Sequence, residues 1–105
     1  MLITTTDSIA GRDIVLVKGL VQGSTVQSKH VGRDIGASFK TLIGGEIKGY
    51  SDMMKEARDI ALQRMIQEAE ALGANAIVSM RYQTSQVMNA AAEVIAYGTA
   101  VVISD

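Results

Sequence analysis

The chain contains 105 residues, of which 48% are hydrophobic and 4% aromatic, with ten basic and eleven acidic side chains. This length suits one domain, residues 1–105, with a core built mainly from aliphatic side chains and methionine. The formal charge of -1 argues against a nucleic-acid partner, which would need a clustered basic surface and stacking aromatic residues. The absence of cysteine excludes disulfides and thiolate metal sites and suits a reducing cytoplasm.

Targeting and membrane segments are not expected from the sequence. Residues 1–7 contain no basic region followed by an apolar run, so they do not resemble a signal peptide. No stretch approaches the roughly 20 consecutive apolar residues that a membrane-spanning helix needs. We therefore expect a cytoplasmic protein without a membrane partner.

The first part of the chain has the composition of β-strands. Residues 2–5 are short and β-branched and precede a polar turn, which predicts a brief strand. Residues 13–27 are rich in Val and Leu but are interrupted by Gly19 and Gly23. Glycines inside a strand mark a bulge, a bend or a close backbone approach. The pattern therefore predicts one long bent strand, or alternatively two strands.

Helical spacing begins after these strands. Apolar side chains among residues 28–41 recur at steps typical of a short helix, although two glycines within it each cost about 1 kcal/mol relative to alanine. Gly44 and Gly45 are expected to end this helix, because glycine reaches positive φ without a steric penalty.

The strongest periodic pattern in the chain covers residues 46–72 and predicts the main helix. Glu46 in its first turn would complement the positive end of the helix dipole, and Gly73 would end the helix. Ser51 is a second candidate start. Ile47 and Tyr50 precede it and lie on the same apolar stripe, which favours the earlier start. The predicted stripe consists of Ile47, Tyr50, Met54, Ala57, Ala61, Met65, Ala69 and Leu72.

Two strands are predicted after the main helix. Residues 76–84 alternate as a strand with one covered face, and residues 85–89 are expected to turn. Residues 91–103 form the last strand, and neither of its faces is polar. The covered face of the first of these strands is predicted to carry Ala76, Val78, Met80 and Tyr82.

The last strand predicts self-association. One layer of helix shields only one side of a small sheet, and monomers rarely leave several hundred Å² of apolar surface exposed. The second apolar face of residues 91–103 therefore indicates a homo-oligomer in which a neighbouring subunit covers it. In the alternative, the bent first strands of the same chain fold over that face. In either case the elements predict an α+β fold, a mainly antiparallel sheet packed on one long helix plus a short helix.

Several short motifs spread along nearly the whole chain support a family resemblance. They are Thr4-Thr5-Thr6 with Gly11-Arg12, Gly19 with Val21, Gly44-Gly45-Glu46 with Tyr50, Glu56-Ala57-Arg58 with Ala61, Gly73-Ala74-Asn75-Ala76-Ile77-Val78, and Glu93-Val94-Ile95-Ala96-Tyr97-Gly98-Thr99-Ala100-Val101. Together these motifs resemble the YbjQ-like family of small bacterial proteins, which are labelled "putative heavy-metal-binding". The resemblance implies a two-layer subunit of the dodecin type, assembled as a homopentameric ring in which strands contribute to the contacts between subunits. No agreed set of ligand residues accompanies the family label.

Three side chains are candidate ligands for a divalent metal ion: His30, Glu46 and Glu93. His30 is the single histidine and could form a site about a symmetry axis, although a solvent-facing or locally bonded histidine is the simpler interpretation. Glu46 follows two glycines, and its role could be limited to complementing the positive end of the helix dipole. Glu93 is the only charge in an apolar strand, so it could instead face solvent at the start of the strand, or pair with Arg58, Arg81 or a residue of the next subunit.

The six methionines and the glycine pair have simpler explanations than a site. Thioethers bind soft metals, but methionines at helical spacing usually fill a core. Gly44-Gly45 lacks the spacing of a phosphate-binding loop, and no nucleophile elbow occurs. The preferred hypothesis is a non-enzymatic oligomer that binds a metal or small ligand between subunits. The alternatives are a small enzyme using an intersubunit carboxylate as acid or base, and a purely structural or interaction module.

Overall fold

The structure, a computed structural model, describes residues 1–28, 47–88 and 91–105. The described elements are β1 (Leu2–Ile3), β2 (Ile14–Ser28), α1 (Ile47–Ala71), β3 (Ala76–Met88) and β4 (Ala91–Ile103). The predicted short helix lies outside the described residues, apart from Ser28, which ends β2. Within the described ranges, no helix is long and apolar enough to cross a membrane.

The four strands form one mixed sheet in the order β1-β3-β4-β2. β1 runs parallel to β3, whereas β4 pairs antiparallel with both β3 and β2. The helix packs on one side of this sheet, over β2 and β4. The predicted α+β class and mainly antiparallel sheet are therefore confirmed.

β2 is a single strand of 15 residues with two irregularities. Its register against β4 shifts between Ile14 and Leu16 and again between Val17 and Gly19. Gly19 has a φ of 117°, a conformation that side-chain-bearing residues rarely adopt. The bulges bend the strand locally, so the prediction of one long bent strand is confirmed.

The main helix begins at Ile47 in the described chain, which confirms the earlier of the two predicted starts. Its buried stripe differs in part from the predicted one, because Tyr50 and Met54 are only half-buried and Leu72 lies beyond the helix. The buried positions recur every fourth residue, and three of the five are alanines: Met53, Ala57, Ala61, Met65 and Ala69.

The small side chains of this stripe let α1 approach β2 closely. A β-carbon placed on Gly23 would collide with the Ala61 carbonyl oxygen and the Met65 backbone nitrogen, and would lie 2.7 Å from the Arg64 β-carbon. Two of these atoms belong to the helix backbone, which cannot turn aside as a side chain can. Gly23 is thus required by a close backbone approach, one of the reasons predicted for a glycine inside this strand.

β3 is longer than predicted and changes faces. It continues to Met88, because residues 81–86 pair in regular register with β4, so the predicted turn from residue 85 is wrong. A register shift between Val78 and Arg81 accompanies a φ of 55° at Ser79. As a result Met80 joins Ile77 on the helix-facing side, whereas strict alternation had placed Met80 with Val78.

The buried side chains form one cluster on each side of the sheet. The larger cluster joins the helix stripe to residues of β2, β3 and β4. The smaller one contains Ala76, Val78, Val101 and Ile103, and Ile9 of the N-terminal segment packs against it. The first residues of the chain therefore cover one end of the second face, whereas Ile95, Tyr97 and Thr99 further along β4 remain partly exposed.

Asn75 fixes the junction between the helix and the sheet. Its side-chain nitrogen donates to the Ile103 carbonyl oxygen at 3.0 Å, and the Ile103 N–H donates to the Asn75 side-chain oxygen at 2.7 Å. The Asn75 N–H also donates to the Val101 carbonyl oxygen at 3.1 Å. Asn75, which lies between the helix and β3, thus holds the end of β4 beside the start of β3.

We predict that Gly23→Ala destabilises the fold by about 3 kcal/mol, because the added methyl group meets helix backbone that can move only if α1 leaves the sheet. The free energy of unfolding, measured by urea denaturation, tests this. Ser24→Ala is the matched control, because Ser24 is exposed and follows directly on the same strand. Equal stabilities for the two variants would contradict the close approach of helix and strand.

Candidate functional site

Glu93 lies on the sheet face opposite α1 and is half-buried. The register places it between Val26 on β2 and Ser85 on β3. Neither neighbour is charged. Within the described residues, the carboxylate therefore has apolar and hydroxyl neighbours across the strands in place of a cation.

The predicted ion pair of Glu93 with Arg58 or Arg81 is not formed within the described chain. Arg58 belongs to α1, which packs on the other face of the sheet. Arg81 is paired with Tyr97, four residues along β4 from Glu93, which is about 13 Å. Its guanidinium donates to the carbonyl oxygens of Thr5 at 2.9 Å and Met80 at 2.8 Å. Two of the expectations for Glu93 remain, a carboxylate that faces solvent and a partner in another subunit.

The surface around Glu93 is made of three rows of side chains that cross β2, β4 and β3. We call it the open face. Glu93 is its only carboxylate. Polar groups alternate with apolar ones, which makes the surface suitable for a ligand or for a second protein surface. The rows are Val26, Glu93 and Ser85, then Ser24, Ile95 and Gln83, then Gln22, Tyr97 and Arg81.

The other two candidate ligands, His30 and Glu46, lie outside the described residues. Across the described ranges, no group of three His, Cys, Asp or Glu side chains is placed to hold a metal ion. One carboxylate cannot complete a coordination sphere of four or more ligands. Any metal at Glu93 would therefore need further ligands from another copy of the chain, from water, or from residues 29–46 or 89–90.

The methionines mostly serve packing, as predicted. Met53, Met65 and Met80 are buried, and Met54 packs against the larger core cluster. Met88, in contrast, is 64% exposed near the end of β3. The buried thioethers are surrounded by alanine and aliphatic side chains, so they fill the core and do not form a soft-metal site.

A cavity of about 530 Å³ beside β1 was not predicted from the sequence. The three consecutive threonines were the sequence feature that could have indicated a hydrogen-bonded segment here, because hydroxyls so close together tend to bond to one another and to the backbone. Thr6 donates its hydroxyl hydrogen to the Ser8 carbonyl oxygen, so the Thr4 hydroxyl donates to the Thr6 hydroxyl at 2.7 Å. The Thr6 N–H in turn donates to the Thr4 hydroxyl at 3.1 Å. The hydroxyl hydrogens of the two threonines are thus used within the segment, which braces the loop.

The N-terminal segment also holds the bulge in β3. The Ser79 N–H donates to the Thr6 carbonyl oxygen at 2.8 Å, and the Met80 N–H donates to the Thr4 carbonyl oxygen at 3.0 Å. A left-handed conformation such as that of Ser79 costs on the order of 1–3 kcal/mol in a non-glycine residue. These backbone bonds offset that cost and fix where Arg81 leaves the strand.

Tyr82 lies on the helix-facing side of β3, where α1 no longer covers the sheet. Burial raises the pKa of its hydroxyl above the ordinary value of 10.0, and the charge of Asp59 raises it further, whereas Arg58 opposes the rise. Tyr82 is still 40% exposed, so the hydroxyl remains reachable from solvent. The group is neutral at physiological pH and can offer a hydrogen bond, but it is not an activated base.

We predict that Asp59→Asn lowers the pKa of Tyr82 toward 10.0 without restoring it fully, because burial is the larger cause of the rise. The raised pKa also implies that stability falls as the pH rises past 10.0, where the unfolded chain loses this proton before the folded chain does. Titration of tyrosinate absorbance measures this pKa in the unsubstituted protein and in Asp59→Asn. The same titration of Tyr82→Phe identifies which part of the absorbance change comes from Tyr82. An unchanged or higher pKa in Asp59→Asn would contradict the arrangement.

Comparison with known proteins identifies similar chains over the full length. A family model named YbjQ_1 and described as "Putative heavy-metal-binding" matches residues 1–104. A UPF0145 protein of Clostridioides difficile is 57% identical over 105 residues, covering 100% of this chain and 94% of that protein. A UPF0145 protein of Halalkalibacterium halodurans is 64% identical over 101 residues, covering 96% and 95%.

A solved structure is also similar in fold. It is the crystal structure of a protein of unknown function from Pediococcus pentosaceus, of the DUF74 family. The two chains superpose with a TM-score of 0.61 at 23% identity, over 99% of this chain and 98% of the other. At this identity the similarity supports the arrangement of helix and strands alone.

Proposed function

Because the chain belongs to the YbjQ-like family, we propose that it is an oligomeric binding protein that takes a metal cation or a small ligand at a site between subunits. The observation that carries this proposal is the placement of Glu93, a half-buried carboxylate on a sheet face that the described chain leaves partly uncovered. If a second surface covered this carboxylate, it would need a partner, because charged side chains are rarely fully buried unpaired. A ligand or a neighbouring subunit would supply that partner.

The amount of exposed apolar surface supports assembly. Twelve large hydrophobic side chains are exposed in the described residues, and nine of them belong to β2 and β3. Contiguous apolar patches on a protein surface usually mark an interaction site. By the family resemblance, the proposed assembly is a homopentameric ring of dodecin-type subunits, with the long edges of the sheets turned toward their neighbours.

A ring would change the chemistry available at Glu93. Symmetry would repeat the carboxylate once in each subunit, and several oxygens converging near an axis suit hard cations. A heavy metal of softer character would favour imidazole, for which His30 is the one candidate in the sequence. Glu46 and His30 thus stay in the proposal as possible ligands beside Glu93.

We predict that the native mass is close to five times the 11.1 kDa of the chain. Light scattering coupled to size exclusion measures this mass without assuming a shape. A stable species of 11.1 kDa would contradict the assembly and with it any site shared between subunits.

For metal binding, we predict that a cation binds with a dissociation constant below about 10 μM and that Glu93→Gln weakens it at least about 10-fold by removing a ligand charge. Calorimetric titration of tag-free protein with zinc, copper, nickel, cadmium and calcium tests this. Glu56→Gln is the control, because Glu56 is an exposed carboxylate on α1.

Three outcomes separate the roles of Glu93. Weaker binding with an unchanged native mass supports a ligand role. Loss of the oligomer in Glu93→Gln identifies a structural partner of the carboxylate and contradicts the proposed site. Unchanged binding also contradicts it, and His30→Ala and Glu46→Gln, titrated in the same way, then test the other two candidates.

A further inference from the structure

The first half of β2 presents an apolar surface that the described chain does not cover. Val15, Leu16 and Val17 are consecutive, yet they are 57%, 54% and 68% exposed, and Leu20 is 68% exposed. A regular strand would turn alternate side chains to opposite faces. The two bulges in this stretch break that alternation along an edge strand of the sheet. We call residues 15–17 with Leu20 the β2 patch.

The second half of β3 is exposed in a different way. The N-terminal segment occupies the outer edge of β3 only as far as Met80. Beyond it, all of residues 81–88 are exposed, and among the described residues no backbone hydrogen bond reaches their outer edge. Tyr82, Val87 and Met88 add apolar area, at 40%, 50% and 64% exposure. We call residues 82–88 the β3 edge. Such an edge is a template for pairing with another chain.

The middle of β2 is protected against such pairing. The Glu68 carboxylate accepts a hydrogen bond from the Gln22 N–H at 3.3 Å, and the Arg64 guanidinium donates to the Ser24 carbonyl oxygen at 2.7 Å. These two helix side chains occupy the outward backbone groups of the edge strand, a common way of blocking edge pairing. The β2 patch lies on one side of this blocked stretch, and Val26, which is 59% exposed, lies on the other side.

We propose that the β2 patch of one copy packs against the β3 edge of the next copy. This inference rests on the assembly proposed above and assigns the surfaces that build it. The two surfaces are of similar length, neither contains a carboxylate, and each leaves apolar side chains that the other could cover. They differ from each other, so the contact is head-to-tail and repeats around a ring when the rotation closes.

The contact would also bring a second copy beside the open face. The β3 edge contains Gln83 and Ser85, and these residues lie in the same cross-strand rows as Ile95 and Glu93. A chain seated on that edge would border the Glu93 surface. The site between subunits would then include residues of two copies, which one described chain alone does not provide.

The absence of cysteine makes this contact testable by cross-linking. We choose Leu16→Cys and Thr84→Cys, one in each surface. Leu16 pairs with Val102 and Thr84 with Val94, eight residues apart on β4, which is about 27 Å. This separation is far beyond the reach of a disulfide within one chain. Any disulfide in the double variant therefore joins two copies.

We expect the double variant to give a ladder of cross-linked species on a denaturing gel after mild oxidation, whereas each single variant stays a single chain. Dimers from Thr84→Cys alone would indicate that two β3 edges meet, and would overturn the proposal. No cross-link in a protein whose native mass is oligomeric would also overturn it while leaving the assembly intact. A native mass of one chain would overturn both.

A matched pair of substitutions tests the same contact without cross-linking. Leu20→Lys should reduce the native mass to one chain, because it places a charge in the buried contact. Leu72→Lys should not, because Leu72 is also exposed, at 43%, but lies after α1 and outside both surfaces. Circular dichroism of each variant reports whether the subunit remains folded. A folded Leu20→Lys protein that keeps its oligomeric mass would contradict the proposal.

Discussion

The close approach of α1 to β2 is the constraint on which the rest of the structure depends. Gly23 allows the helix backbone to lie directly on the strand, and the three alanines of the buried stripe of α1 reduce the side-chain bulk between helix and sheet. A helix seated this closely covers a narrow strip of the sheet. It shields β2 and β4 and leaves most of β3 without cover on that side.

Parts of the sheet remain exposed because α1 covers only a narrow strip of it and because the N-terminal segment is short. Ile9 covers the second face of the sheet only near Val101 and Ile103, and the N-terminal backbone occupies the edge of β3 only through Met80. Where the chain does protect itself, it uses specific contacts, such as those of Arg64 and Glu68 on β2. The uncovered surfaces are therefore confined to defined positions, and this supports their assignment to a neighbouring subunit.

The candidate site is a surface around one carboxylate in the part of the chain that the structure describes. Glu93 lies between Val26 and Ser85 in the sheet, and it belongs to no group of three described His, Cys, Asp or Glu side chains that could hold a metal ion. Its neighbours are hydroxyl and aliphatic side chains, which could receive a ligand only if another surface closed over them. Binding and assembly are thus linked in the proposal, because the second copy would supply what the first one lacks.

The sequence alone determined the main elements of this protein. The 3.6-residue period predicted α1 and its start, the β-branched composition predicted β2 and β4, and the lack of a polar face on β4 predicted that both sides of this strand need cover. Motifs along the whole chain identified the family. These features are local, or they depend on residue types at fixed spacing. They can therefore be recognised in the sequence without knowledge of the tertiary structure.

Only the tertiary structure decided which residues meet. The bulge at Ser79 depends on hydrogen bonds to Thr4 and Thr6, more than 70 positions earlier, and it moved Met80 to the other face of the sheet. The sheet register separated Glu93 from Arg81, and the placement of α1 put Arg58 on the opposite side. The protection of β2 likewise needs helix and strand to be packed. Contacts between distant segments follow from the whole packing arrangement, and no local pattern contains that information.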